Sequence, residues 1–308
     1  MKKHSLLPIL LVVSVLFSGC VANPSNTPIT AVETPQVVDA APSATQKQND
    51  NSEPSPTSTA ADATIESAVL VDKDGVVVTA KEMVYDSIWG PGIKVLVENN
   101  SQDNIAVQCD SIIVNDYMMT NMFSCSVAAG KKANDTIYFT SSDIEAAGIT
   151  TIADVAIVFT VLDSDSYKTL FDTEEIEIKT SAYGAVDQLK ADDGIELINQ
   201  DGIRIIGKYV TEDSIWGAGV VLFIENNSGE NVIVQCDNMS INGFMITPFF
   251  SCTVNDGRMA LDDITIMSSD LKENDIEAVE DIELVFNIVD PDNYRSIFET
   301  EPIAFSTK

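Results

Sequence analysis

The tetrapeptide Ser87-Ile88-Trp89-Gly90 returns as Ser214-Ile215-Trp216-Gly217, 127 positions further on. The same offset carries Glu98-Asn99-Asn100-Ser101 onto Glu225-Asn226-Asn227-Ser228, and Val107-Gln108-Cys109-Asp110 onto Val234-Gln235-Cys236-Asp237. Phe123-Ser124-Cys125 likewise matches Phe250-Ser251-Cys252. Between Asp74 and Thr307 the two stretches align without an insertion or deletion. A repeat that keeps its length through the loops implies two copies of one fold, loops included. Each copy is about 115 residues, enough for a domain with its own core. Units of a solenoid are far shorter, roughly 20–45 residues.

Within a copy the apolar residues alternate in short runs. Val69-Leu70-Val71 and Val76-Val77-Val78 flank a turn at Asp72-Lys73-Asp74-Gly75, and the second copy repeats this around Asp201-Gly202. Ile93 to Glu98 alternates and stops at Asn99-Asn100. Asn242-Gly243 is a two-residue hairpin signal, because both central positions of that turn want positive φ. Asn115-Asp116 stands at the same place in the first copy, with returning strands from Tyr117 and Phe244. One short helix is expected around Asp143 to Ala147, where Ser142 and Glu145 have capping-box spacing. Seven or eight short strands per copy point to an all-β chain: two tandem β-sandwich domains of immunoglobulin-like type. An up-and-down barrel is the alternative, and strand order is not readable.

Ahead of the repeats lies a different kind of sequence. Lys2 and Lys3 precede a short apolar run, Leu6 to Phe17, too short to span a bilayer permanently. Leu16-Phe17-Ser18-Gly19-Cys20 resembles the bacterial lipobox. That resemblance implies cleavage before Cys20, acylation of Cys20, and a mature chain tethered to the cell membrane through it. Val21 at the next position, rather than aspartate, implies the outer membrane if the cell has two. Val21 to Ala63 is rich in Pro, Ser, Thr, Asn and Gln and reads as a disordered tether, because such a composition buries too little to offset the entropy of ordering. The expected layout is therefore signal peptide 1–19, lipidated cysteine and linker 20–63, repeat one 64–180 and repeat two 181–308.

The chain carries 48 acidic and 17 basic residues, a formal charge of −31. Both copies share it, with 19 acidic against 7 basic residues in 64–180 and 24 against 7 in 181–308. That sign opposes nucleic acid as a partner. The single histidine, His4, lies within the signal. Without histidine, Ser-His-Asp and Cys-His nucleophile activation have no base, and catalytic zinc lacks its usual nitrogen ligands. No phosphate loop or dinucleotide fingerprint occurs, no cofactor is implied, and an enzyme is not expected. A carboxylate-pair hydrolase is the remaining catalytic alternative.

Each copy holds two cysteines sixteen residues apart, Cys109 with Cys125 and Cys236 with Cys252. Alternation turns all four inward, and export permits oxidation, so one disulfide per copy, Cys109-Cys125 and Cys236-Cys252, is expected. Free buried thiols are the rival reading. Asp163 and Asp165, repeated as Asp290 and Asp292, are the calcium candidates, with Glu174 and Glu301 at the twelfth loop position. Tyr167 and Lys168, with Tyr294 and Arg295, break that pattern, and a turn explains the aspartates equally well. Trp89 and Trp216 read as core anchors in preference to a ligand platform, and Tyr167 and Tyr294 as packed loop anchors. Met122-Phe123 and Phe249-Phe250 form an exposed adhesive edge, or one core and one surface residue each.

Glu225-Asn226-Asn227, Ser240-Ile241-Asn242-Gly243-Phe244 and Val127-Ala128-Ala129-Gly130-Lys131-Lys132 resemble uncharacterised tandem modules of Firmicutes-type envelope lipoproteins. The resemblance implies an Ig-like envelope module and no active site. The expected role is a non-catalytic surface lipoprotein with two binding or adhesion modules. Its partner would be an unidentified envelope or extracellular protein or glycan. A structural stalk is the second reading.

Overall fold

A computed structural model describes residues 26–28, 62–85, 87–211 and 216–307, with the backbone alone at 26–28. Strand β1 is Asn26–Pro28. The first half comprises β2 (Ala68–Lys73), β3 (Val76–Val84), β4 (Gly92–Asn99), β5 (Ile105–Val114), β6 (Tyr117–Met118), β7 (Ser124–Val127), β8 (Lys132–Tyr138), α1 (Ser141–Ala146), β9 (Asp154–Asp163), β10 (Thr169–Asp172) and β11 (Ile176–Lys179). The second comprises β12 (Ile195–Gln200), β13 (Ile203–Thr211), β14 (Gly217–Asn226), β15 (Val232–Ile241), β16 (Phe244–Ile246), β17 (Ser251–Val254), β18 (Met259–Met267), α2 (Ser268–Glu273), β19 (Asp281–Val289), β20 (Ser296–Glu299) and β21 (Ile303–Ser306). The chain is thus predominantly β, arranged in several sheets.

Local sequence sets the turns. Asn242 and Gly243 have φ of +52° and +84°, and Asn115 and Asp116 have +47° and +68°, so both hairpins turn in two residues with positive φ. Pairing registers in one half return 127 residues later in the other. Ala68 faces Ala80 as Ile195 faces Gly207, and Val107 faces Cys125 as Val234 faces Cys252. Even the irregularities recur, at Cys109/Ser111 in β5 and at Cys236/Asn238 in β15.

In the first half β2-β3-β4-β8 form one antiparallel sheet, while β5 pairs with β6, β7 and β9. Inward residues of both groups, among them Val78, Val95, Val107 and Phe159, belong to one core. The second half orders β12-β13-β14-β18 and β15-β17-β19 in the same manner around Ile205, Val220, Val234 and Phe286. A parallel contact between Met259 of β18 and Tyr117 of β6 fuses sheets of the two halves into one of eleven strands. Ile206, Phe223 and Met259 of the second half pack into the first core, and Met118 packs against the second. The halves therefore share a buried joint.

Polar groups tighten that joint. Arg258 pairs with both Asp116 and Glu175 across it. Tyr117 accepts a hydrogen bond from the Ala191 amide at 2.7 Å and meets Phe223 edge-on with ring centroids 6.4 Å apart. Within the segment expected as tether, Asn26–Pro28 lie antiparallel against Tyr209–Thr211. The signal, Cys20 and the rest of the tether lie outside the described residues. No helix among the described residues is long and apolar enough to cross a membrane.

The expected disulfides are not formed: Cys109, Cys125, Cys236 and Cys252 are all buried and free. The register explains this. Cys125 lies opposite Val107, so Cys109 sits two residues further along β5. Such a diagonal separates Cα atoms by roughly 7–8 Å, whereas a disulfide wants about 4.4–6.8 Å. Cys236 and Cys252 are offset identically, Cys252 lying opposite Val234. Burial pushes the Cys125 thiol up to about 11 and the Cys236 thiol to about 12, with Asp135 and Asp237 nearby adding to each. These four thiols stay protonated and inert at neutral pH.

Helix α1 and its counterpart α2 are both present, yet neither has a side-chain cap at its start. Asp143 instead accepts a hydrogen bond from the Thr120 amide at 2.6 Å, tying the helix to the chain after β6.

Candidate functional site: a tryptophan-lined groove

The recurring Ser-Ile-Trp-Gly stretch joins β3 to β4. Its turn is closed by hydrogen bonds from the Gly90 amide to the Ser87 carbonyl and from the Trp89 amide to Ser87 Oγ, at 3.2 and 3.1 Å. Gly90 has φ of +108°, and a Cβ there would stand 2.1 Å from the Phe139 carbonyl oxygen. Gly217 has φ of +144°, with the same approach to Ile266 O at 2.1 Å. Only glycine lets the loop lie this close to the end of β8 or β18. Backbone bonds finish the seam: Phe139 N donates to Pro91 O at 2.8 Å, and Ser268 N to Trp216 O at 2.7 Å.

The seam fixes the tryptophan backbone and leaves the rings outside. Trp89 is 53% exposed and Trp216 52%. The expectation of core anchors is overturned, because the glycine contact brings the loop backbone, not the indole, against the sheet. In the first half the indole borders a groove of about 300 Å³ shared with Met122, Phe123, Tyr138, Thr120 and Asp135. Phe123 forms its buried floor, while Met122 is 66% exposed. In the second half Phe250 is buried and Phe249 is 78% exposed. Phe249 is locked to Thr265 of β18 by two backbone hydrogen bonds of 3.1 Å, and β18 ends at Met267, whose side chain is also exposed. The Met122-Phe123 and Phe249-Phe250 pairs thus each contribute one core and one surface residue. Sequence alternation carried that signal, since neighbours on a strand face opposite ways.

Carboxylates rim both places. Asp135 lines the first groove and reaches the Cys125 thiol; Asp262, its counterpart, does the same with Cys252. Desolvation pushes the Asp262 carboxyl up to about 6, and neighbouring Asp263 and Asp143 add to the rise. Asp262 as a whole residue is exposed, so its carboxyl is crowded from one side and open on the other. The arrangement offers an aromatic and thioether platform with hydroxyl and carboxylate edges, suited to stacking and hydrogen bonding.

The remaining candidates come apart as sites. Asp163 Oδ1 accepts hydrogen bonds from the Asp165 and Ser166 amides at 3.2 and 2.7 Å and from Ser166 Oγ at 2.7 Å. Those bonds hold its carboxyl below its ordinary pKa. Asp290 caps the Asp292 amide at 2.8 Å in the same turn. Among the described residues no three His, Cys, Asp or Glu side chains gather closely enough to hold a metal ion. Tyr167 and Tyr294, expected as packed anchors, are 77% and 75% exposed; each takes φ of +57° at the tip of its turn, which throws the ring outward.

No family model matches the chain, and no curated protein matches it. Among solved structures it is similar to the Salmonella enterica SafA pilin in complex with the SafB chaperone, at 12% identity over 70% of this chain and 88% of that one, with a TM-score of 0.21. It is also similar to the YadV chaperone, at 10% identity over 68% of this chain and 90% of that one, again at a TM-score of 0.21. Overlays this loose define no common fold for the whole chain.

Proposed function

We propose that the chain is a non-catalytic surface lipoprotein, anchored through acylated Cys20, whose two tandem immunoglobulin-like β-sandwich domains bind an envelope or extracellular protein or glycan. One observation carries the binding role: a pinned loop presents half-exposed Trp89 beside exposed Met122 over the buried Phe123, and the second half repeats the exposures at Trp216 and Phe249. Exposed aromatic rings beside a buried floor are what a binding surface concentrates. The layout 1–19, 20–63, 64–180 and 181–308 belongs to this reading. A structural stalk is the second reading, favoured by the joint that Arg258, Tyr117 and Phe223 bury between the halves.

Tryptophan emission tests the binding role directly, because Trp89 and Trp216 are the chain's two tryptophans. Titration with solubilised envelope glycan, and separately with purified surface proteins, is expected to give a saturable shift with one class. The double variant Met122→Asp/Phe249→Asp keeps both reporters and is expected to lose it at least tenfold. A ligand that binds with emission unchanged, or binds the double variant as well, would remove these aromatic surfaces from the function. Silence across both classes favours the stalk.

A further inference from the structure

We infer that strand β1 turns the second half of the chain, not the first, toward the membrane. The inference rests on the proposed lipid at Cys20. Sequence order alone suggests the opposite: 43 residue steps from Cys20 to Ala63 reach about 150 Å at full extension, with the first half next along. β1 changes the geometry. Asn26 pairs with Thr211, Thr27 with Val210 and Pro28 with Tyr209. Cys20 is six steps from Asn26, so it lies within about 20 Å of that edge whatever path the chain takes between.

The docking place is built for a short strand. β12 pairs with β13 only as far as Gly207, and the register of β13 slips between Gly207 and Tyr209. Beyond the slip the outer side of β13 is free of β12, and β1 continues the line. An edge strand offers unpaired N–H and C=O groups to any extended segment. Proline is tolerated at an edge, where its missing N–H can face away from the ladder. The matching edge of the first half, Glu82 to Val84, pairs with no strand on that side among the described residues. The two halves thus differ at this point, and the anchor-proximal strand has taken the second.

Direction follows from the antiparallel register. Asn26, the β1 residue nearest Cys20 in sequence, stands opposite Thr211, at the end of the half where Trp216 precedes β14. That end carries the exposed Trp216, so its indole stands nearer the lipid headgroups than that of Trp89. The joint to the first half, at Arg258 and Met259, lies at the opposite end of β18 from Met267, so the first half stands farther from the membrane.

Two measurements decide it. In the soluble mature chain carrying Cys20→Ala, deleting Asn26 to Pro28 should speed hydrogen exchange of the outward amides among Tyr209 to Thr211 at least tenfold. Unchanged exchange overturns the docking. In the acylated protein reconstituted into vesicles with dansyl-headgroup lipid, energy transfer from the Trp89→Phe protein, which retains Trp216, should exceed that from Trp216→Phe severalfold. Equal or reversed transfer overturns the orientation. Failure to partition into vesicles removes the lipid anchor and this inference with it, while the exchange result still reports separately on β1.

Discussion

Replacing Asn226 should cost the chain more than any exposed polar change of similar size. Its side chain is completely buried. Nδ2 donates to the Glu230 and Val254 carbonyls, both at 2.8 Å, and Oδ1 accepts from the Ser228 amide at 3.0 Å and Ser228 Oγ at 2.7 Å. The amide therefore staples the end of β14 to the following loop and to the end of β17. Asn226→Ala removes four hydrogen bonds, worth about 1 kcal/mol each net, and leaves buried carbonyls without donors, so a loss of about 3–4 kcal/mol is expected. Asn226→Asp keeps the shape and the acceptor but turns an oxygen toward two carbonyls. A carboxylate there is both desolvated and repelled, so its folded pKa rises above its unfolded value. Stability of that variant should fall as pH climbs through and above the ordinary carboxylate range and recover partly in acid, where the neutral acid can donate one bond. Urea unfolding followed by circular dichroism, at pH 4.5 and 7.5, reads both effects. Asn99 makes the same four bonds, to Asp103, Val127 and Ser101, and its variants should behave alike. The neighbouring Asn227→Ala is an exposed control with an expected change within about 0.5 kcal/mol. A loss below about 1 kcal/mol for Asn226→Ala, or a pH-independent Asn226→Asp, would refute the network as a determinant of stability.

Two further outcomes are expected. Because the Asp262 carboxyl is raised to about 6 from 3.8, the folded state holds that proton longer than the unfolded chain, and stability falls as pH rises between these values; Asp262→Asn should flatten melting temperature across this window and raise it at pH 7.5, by less than the full shift because the residue is partly open to water. Alkylation of the Cys20→Ala mature chain in denaturant without reductant should add four adducts, one to each of Cys109, Cys125, Cys236 and Cys252, whereas any disulfide would leave at least two unmodified.

What could be read from sequence is whatever depends on neighbours along the chain. Asn242-Gly243 demands its turn by φ alone, and Val107, Cys109, Phe123 and Cys125 face inward because strands alternate. What could not be read depends on which strands meet and where a strand slips. The slip between Cys109 and Ser111, and the two-residue offset of Cys109 from Cys125, separate thiols that share a face. Gly90 explains Trp89 similarly: the residue was visible, but the carbonyl of Phe139 that excludes a Cβ belongs to another strand. Ser142 and Glu145 have capping-box spacing without forming the cap, since Asp143 is engaged by Thr120 and draws the helix start toward β6. Strand β1 follows the same rule. Asn-Thr-Pro has no strand pattern of its own, and only the outer edge of β13 supplies its partners.

The joint gives the β1 docking its reach. Two domains linked by a free hinge would let the first half drift whatever held the second. Here β18 pairs with β6, Phe223 and Met259 sit in the first core, and Arg258 is clasped by two carboxylates of the other half. Moving the halves apart would expose apolar surface and strand a guanidinium that is only 19% exposed, next to carboxylates left without their partner. On the proposed anchoring at Cys20, an orientation imposed on the second half by three residues near that cysteine would be passed to the first. The Trp89 groove would then hold a set direction relative to the membrane, which is what the proposed binding surface would need in order to meet its partner in a fixed pose.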